Sequence, residues 1–116
     1  RSDSMKKTEM LKKNYEFKNV LKRGKYYSGK YIEAFYIKNN FNKNKIGIAV
    51  GTKIAKAVKR NYLKRIIKEA YRINESKAGV GKNIVFLVKK KVDIDDITFN
   101  KVEKDILEII EKAGQA

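Results

Sequence analysis

Two short runs of almost unbroken apolar character set the frame of this chain: Ile46 to Val50 (IGIAV) and Asn83 to Val88 (NIVFLV). Apolar runs of four to eight residues bounded by turn signals read as strands buried in a sheet. Gly51-Thr52 breaks the first, and Ala78-Gly79-Val80-Gly81 forms a loop before the second. Between them, Ala55 to Ile73 has the clearest helical periodicity of the chain. Steps of about 100° per residue place Ala55, Val58, Tyr62, Leu63, Ile66, Ala70 and Ile73 on an inward face. Arg60, Lys64, Lys68 and Arg72 then line the outer face, with Lys53 and Arg65 nearby. Two buried strands and an amphipathic helix in 116 residues describe one domain around one core.

The remaining segments fit around that frame. Asn14 can cap a helix running to about Arg23, with Gly24 just past its end. Tyr31 to Lys38 (YIEAFYIK) is rich in aromatic and β-favouring residues and reads as a strand. Asn39 to Asn44 (NNFNKN) is a loop by composition, and Phe99 to Ala113 is a last helix with Phe99, Val102, Ile106, Ile109 and Ile110 inward. The expected order is α-β-β-α-β-α. The class is a two-layer α/β (α+β) sandwich with a small mixed sheet, too short for a doubly wound fold. Residues 5–116 read as the single domain, and Arg1 to Ser4 before Met5 as a foreign remnant. No apolar run approaches the roughly 20 residues of a membrane span. No signal-like apolar segment follows Met5 either, so a cytoplasmic protein is expected.

The net charge is +16, and it is unevenly spread. Residues 1–44 carry 12 basic and 4 acidic side chains, residues 45–72 carry 9 and 1, and residues 73–116 carry 8 of each. An excess of that size repels itself and calls for a polyanionic partner. The partner should meet the first two-thirds of the chain. Composition alone does not choose between nucleic acid and an anionic membrane surface.

The chemistry of a self-sufficient active site is missing. There is no histidine for proton transfer near neutral pH and no cysteine for a nucleophile or a zinc site. Asp93, Asp95 and Asp96 could be read as a magnesium cluster, but acids ahead of a helix complement its dipole, which is the better reading. Gly79 and Gly81 make a lone G-x-G that follows a helix, so no nucleotide fingerprint forms. Any catalysis would have its reacting groups in a partner.

The basic helix carries the functional signal. Its charged stripe holds one acid, Glu69, and so gains almost no salt-bridge support of its own. Arg60 and Arg65 offer planar forks suited to phosphate. The segment KIAKAVKRNYLKRIIKEAYR (Lys53 to Arg72) matches a K-x-x-x-A-V-x-R-N-x-x-K-R block at Lys53, Ala57, Val58, Arg60, Asn61, Lys64 and Arg65. In this it resembles the bacterial ribonuclease P protein component, where the block forms the so-called RNR helix. Tyr62 departs from that pattern, standing where the family usually has a second arginine; the helix placement above turns it toward the core. LKKNYEFKNVLKRGK (Leu11 to Lys25) resembles the family's first helix, YIEAFYIK its aromatic strand, and KIGIAVGTK (Lys45 to Lys53) the strand leading into the RNR helix.

The resemblance implies the ribonuclease P protein fold, akin to the second domain of ribosomal protein S5, and allows one more short strand near Gly29. It implies a non-catalytic protein subunit of an endoribonuclease. A catalytic RNA would hold Mg2+ and remove the 5′ leader from precursor tRNA. The protein would bind that RNA through Lys53, Lys56, Arg60, Asn61, Lys64, Arg65, Lys68 and Arg72, and bind no metal of its own. The leader would lie in a cleft between sheet and first helix, at Phe17, Leu21 and Phe35. Phe17 reads equally well as core. Phe35 leans to the cleft because Glu33 shares its strand face. The rival is a ribosomal or other structural RNA-binding protein. A membrane-surface protein would need a free apolar face that the core already uses. A helix-turn-helix would need a second helix within a short turn of the basic one.

Overall fold

The computed structural model describes residues 7–114, so the remnant assigned to Arg1 to Ser4 lies outside the described residues. The chain forms β1 (Thr8–Met10), α1 (Asn14–Arg23), β2 (Lys25–Ser28), β3 (Ile32–Lys38), β4 (Asn44–Ala49), α2 (Ala57–Ile73), β5 (Lys82–Val88) and α3 (Phe99–Gly114). One five-stranded sheet has the order β1-β4-β5-β3-β2. β4 pairs in parallel with β1 and β5, while β3 runs antiparallel to β5 and β2. The apolar run in β5 therefore sits at the centre of the sheet, as its sequence requires. Among the described residues, no helix is long and apolar enough to cross a membrane.

Strand alternation decides what each face carries. Ile32, Ala34 and Tyr36 of β3 and Ile84, Phe86 and Val88 of β5 face one way. They form the main core with Leu63, Ile67, Ala70 and Tyr71 of α2 and Val102, Ile106, Ile109 and Ile110 of α3. The opposite face carries Gly47, Val85 and Phe35 side by side across β4, β5 and β3. α1 lies on that second face. Phe17 rests on Gly47, where a Cβ would collide with the Phe17 ring, and a Cβ at Gly24 would come 3.0 Å from the Tyr36 carbonyl oxygen. Thus α1 crosses from β4 to β3 and adds partial cover outside the two layers of the sandwich.

The facing of α2 differs from expectation. The helix begins at Ala57, not Ala55. Val58 is 84% exposed, Tyr62 40% and Ile73 51%, so none of the three belongs to the core. Ile67 and Tyr71 take their place, because Leu63, Ile67, Ala70 and Tyr71 recur at i, i+4, i+7 and i+8 and share one stripe. Tyr71 is fully buried because its hydroxyl is satisfied: it lies 2.8 Å from the Thr8 hydroxyl and accepts from Asn44 Nδ2 at 3.1 Å. Asn44 is thereby a buried strand residue instead of a loop residue. Its amide also donates to the Gly79 carbonyl, and its Oδ1 accepts from the Lys82 N–H.

Other boundaries shift slightly. Lys13 occupies the cap position of α1 with extended backbone and no side-chain cap bond, and Asn14 is the first helical residue. Two short edge strands flank the predicted ones: β2, close to the extra strand placed near Gly29, and β1, which three residues were too few to signal. Asp105 of α3 is buried and accepts from the backbone N–H groups of Lys30, Tyr31 and Ile32 at 3.1, 2.6 and 2.9 Å. That one carboxylate fixes the turn between β2 and β3 against α3.

Candidate nucleic-acid interface

Two surfaces present the predicted residues, on opposite faces of the sheet. The first is the outer side of α2 and the turn that leads into it. Lys53, Lys56, Asn61, Lys64, Arg65 and Lys68 are all exposed there. The first turn of α2 contains no acid, so its backbone N–H groups add to the positive field. Arg60 and Arg72 stand apart from these. Arg60 is half-buried and donates from Nη1 to the Ala55 carbonyl at 2.8 Å, bracing the segment before the helix. Arg72 holds Glu69 in a two-point contact, Nε to Oε1 at 2.9 Å and Nη2 to Oε2 at 2.5 Å. Both guanidinium groups therefore already have partners in the fold.

The second surface is the edge of α1 over the sheet. Phe17, Leu21 and Phe35 are each half-buried, neither sealed in the core nor free in solvent. Fully buried Val20 and Val85 lie in the same layer and close its floor. Strand spacing of about 4.8 Å sets Gly47 and Phe35, two strands apart, roughly 10 Å from each other. Beyond Phe35 stands Tyr26 of β2, which periodicity missed because its strand is so short. The two rings lie 5.0 Å apart with a 52° tilt. The Tyr26 hydroxyl donates to Glu33 Oε1 at 2.5 Å, and this bond to a carboxylate pushes the phenol pKa above its ordinary 10.0. Glu33 does share the face of Phe35, as the alternation implied.

An ion pair ties the near end of α1 to the sheet. Lys45 Nζ lies 3.0 Å from Glu16 Oε2, and it holds the Glu16 carboxyl below its ordinary 4.5. The same ammonium lies 4.9 Å from the centroid of Phe41.

The acidic cluster does not converge. Asp93 accepts from the Asp95 N–H at 3.0 Å, capping the turn Ile94–Asp96. Asp96 accepts from the Tyr31 hydroxyl at 2.8 Å and from Lys101 Nζ at 2.9 Å, which keeps its carboxyl below the usual range. Among the described residues no group of three or more potential ligands could hold a metal ion.

The chain is similar to known proteins over most of its length. The family model described as Ribonuclease P matches residues 5–114. The ribonuclease P protein component of Clostridioides difficile (strain 630) is 37% identical over 107 residues, covering 91% of this chain and 92% of its own. That of Natranaerobius thermophilus is 33% identical over 103 residues, covering 89% and 88%. Among solved structures, the RNase P protein from Thermotoga maritima superposes with a TM-score of 0.81 at 29% identity, covering 90% of this chain and 96% of that one.

Proposed function

This chain belongs to the ribonuclease P protein family, and we propose a division of labour between its two surfaces that follows from that membership. Membership itself makes the protein a subunit of an endoribonuclease acting in tRNA 5′ processing, partnered with the ribonuclease P RNA. The ribosomal alternative falls away.

In our reading the outer side of α2 binds the ribonuclease P RNA. Lys53, Lys56, Lys64, Arg65 and Lys68 neutralise phosphates, and Asn61 reaches a sugar or base edge. Arg60 and Arg72 contribute at the margin, since each is anchored within the protein. The α1 cleft takes the 5′ leader of precursor tRNA, with Phe17, Leu21 and Phe35 as its apolar wall. Half-buried aromatics beside basic side chains form a stacking platform for single-stranded bases. The reacting groups and Mg2+ belong to the RNA. Among the described residues no carboxylate set fits the ion: Asp93 and Asp96 are committed to a turn and a lysine, and Asp105 to three backbone N–H groups. The site of action is the cytoplasm.

The observation that carries this reading is the separation of a basic helix, whose first turn holds no acid, from a half-buried aromatic cleft on opposite faces of one sheet. Reconstitution tests it. The protein with ribonuclease P RNA from its own source and Mg2+ should cut precursor tRNA at the leader junction, and the protein with Mg2+ alone should leave it intact. Accurate cleavage without RNA would overturn the assignment.

A further inference from the structure

The exposed side of α2 is not uniformly charged. Val58 and Tyr62, one helical turn apart, form an apolar step in the middle of the basic surface. With Ile97 and Asp95 from the segment ahead of α3, they line a concavity of ≈ 690 Å³. Lys56, Lys59 and Arg65 complete its wall. Lys59 Nζ lies 5.1 Å from the centroid of the Tyr62 ring, a cation–π contact that restrains the ring. A volume of this size lies within the range of small-ligand clefts, about 300–1,000 Å³.

The chemistry of the walls selects the occupant. A phosphate would meet an apolar floor and the Asp95 carboxylate, so it is disfavoured inside. A nucleobase is not: its π-face matches Tyr62 and Val58, and an exocyclic amino group could donate to Asp95. The flanking phosphates would then fall on Lys56, Lys59 and Arg65 at the rim. An anionic strand with one base turned inward fits both the floor and the rim.

We propose that this concavity captures one unpaired base of the ribonuclease P RNA by stacking on Tyr62. The proposal rests on the assignment of α2 to that RNA. It gives Tyr62 a role other than the phosphate contact of the arginine found there in the family pattern: stacking replaces charge. The RNA subunit, and not precursor tRNA, is the source, because the concavity lies across the sheet from the α1 cleft.

The experiment measures affinity of the full-length protein for ribonuclease P RNA against salt, with base-reactivity footprinting of the RNA. Tyr62→Phe should bind as the native protein does. Tyr62→Ala and Tyr62→Leu should bind roughly 5- to 150-fold more weakly, the span expected for one stacked base. Their log–log salt slopes should be unchanged, because no phosphate contact is lost. One unpaired nucleotide should be protected by the native protein and Tyr62→Phe and reactive again with the other two. Tyr62→Leu keeps apolar bulk at the position, so it answers the question even if Tyr62→Ala is unstable. Arg65→Ala, which lowers the salt slope by about one contact, reports separately on the assignment of α2. If Arg65→Ala weakens binding while Tyr62→Leu does not, stacking is wrong and the α2 assignment stands. If the native protein does not bind the RNA, both fall.

Discussion

At the scale of single residues, the sharpest question is which side chains touch RNA and which hold the fold. Arg60 and Arg65 look equivalent in sequence, yet Arg60 donates to the Ala55 carbonyl while Arg65 stands exposed. Arg65→Ala should therefore weaken RNA binding and leave the melting temperature unchanged. Arg60→Ala should lower both, with a stability loss of about 1 kcal/mol for the lost bond. Thermal melts paired with RNA titrations separate the two, and equal stability in both variants would refute the bracing role. Phe35 poses the same question on the other face. Phe35→Ala should cost roughly 1–3 kcal/mol in binding of a substrate with a long leader, and nothing for leaderless tRNA. A loss common to both RNAs, with a lowered melting temperature, would instead mark Phe35 as core.

At the scale of elements, α2 tests its own facing. Val58→Asp should fold normally, because Val58 is exposed, whereas Ile67→Asp should unfold the domain by burying an unpaired charge. Far-ultraviolet circular dichroism of the two variants decides it. The three longer strands and the helices were legible because their apolar residues are dense or recur at helical spacing. The rotation of α2 was misread by about a quarter turn at 100° per residue. Val58, Tyr62 and Ile73 are apolar by type and drew the inward face toward themselves. Tyr71 carries a hydroxyl, and only Thr8 and Asn44 in the folded chain explain how it can be buried. Asp105 was illegible for the same reason: its three N–H partners lie more than seventy residues earlier in the chain. Alternation along β3 made it legible that Glu33 and Phe35 share a face, while Tyr26 escaped because four residues of β2 give periodicity too little to act on. For α1, the Glu16–Lys45 pair makes docking depend on acidity. The Glu16 carboxyl is held below its ordinary 4.5, so its contribution is complete above that value and disappears as pH falls through the lower folded value. Glu16→Gln should melt lower than the native protein at neutral pH, and the gap should close on acidification. A gap that did not shrink on acidification would place the effect elsewhere.

At the scale of the whole molecule, the +16 charge makes RNA affinity a steep function of ionic strength. With about five or six phosphate contacts, the log–log slope for ribonuclease P RNA should be on the order of −4 to −5. A flat response in a filter-binding titration would mean that the charge serves solubility alone. The strand order carries a different consequence, one of timing. β5 lies between β3 and β4, so Ile32 finds its partner in Val88 and Ile46 in Ile84. Sequence-distant pairing of this kind is slow and cannot begin until the last partner exists. During synthesis the residues through Arg72, which hold all of the excess positive charge, are made before the central strand. The unfinished chain is thus an unfolded polycation emerging from a particle built largely of RNA, and only the final third, neutral in balance, lets it close into a globule.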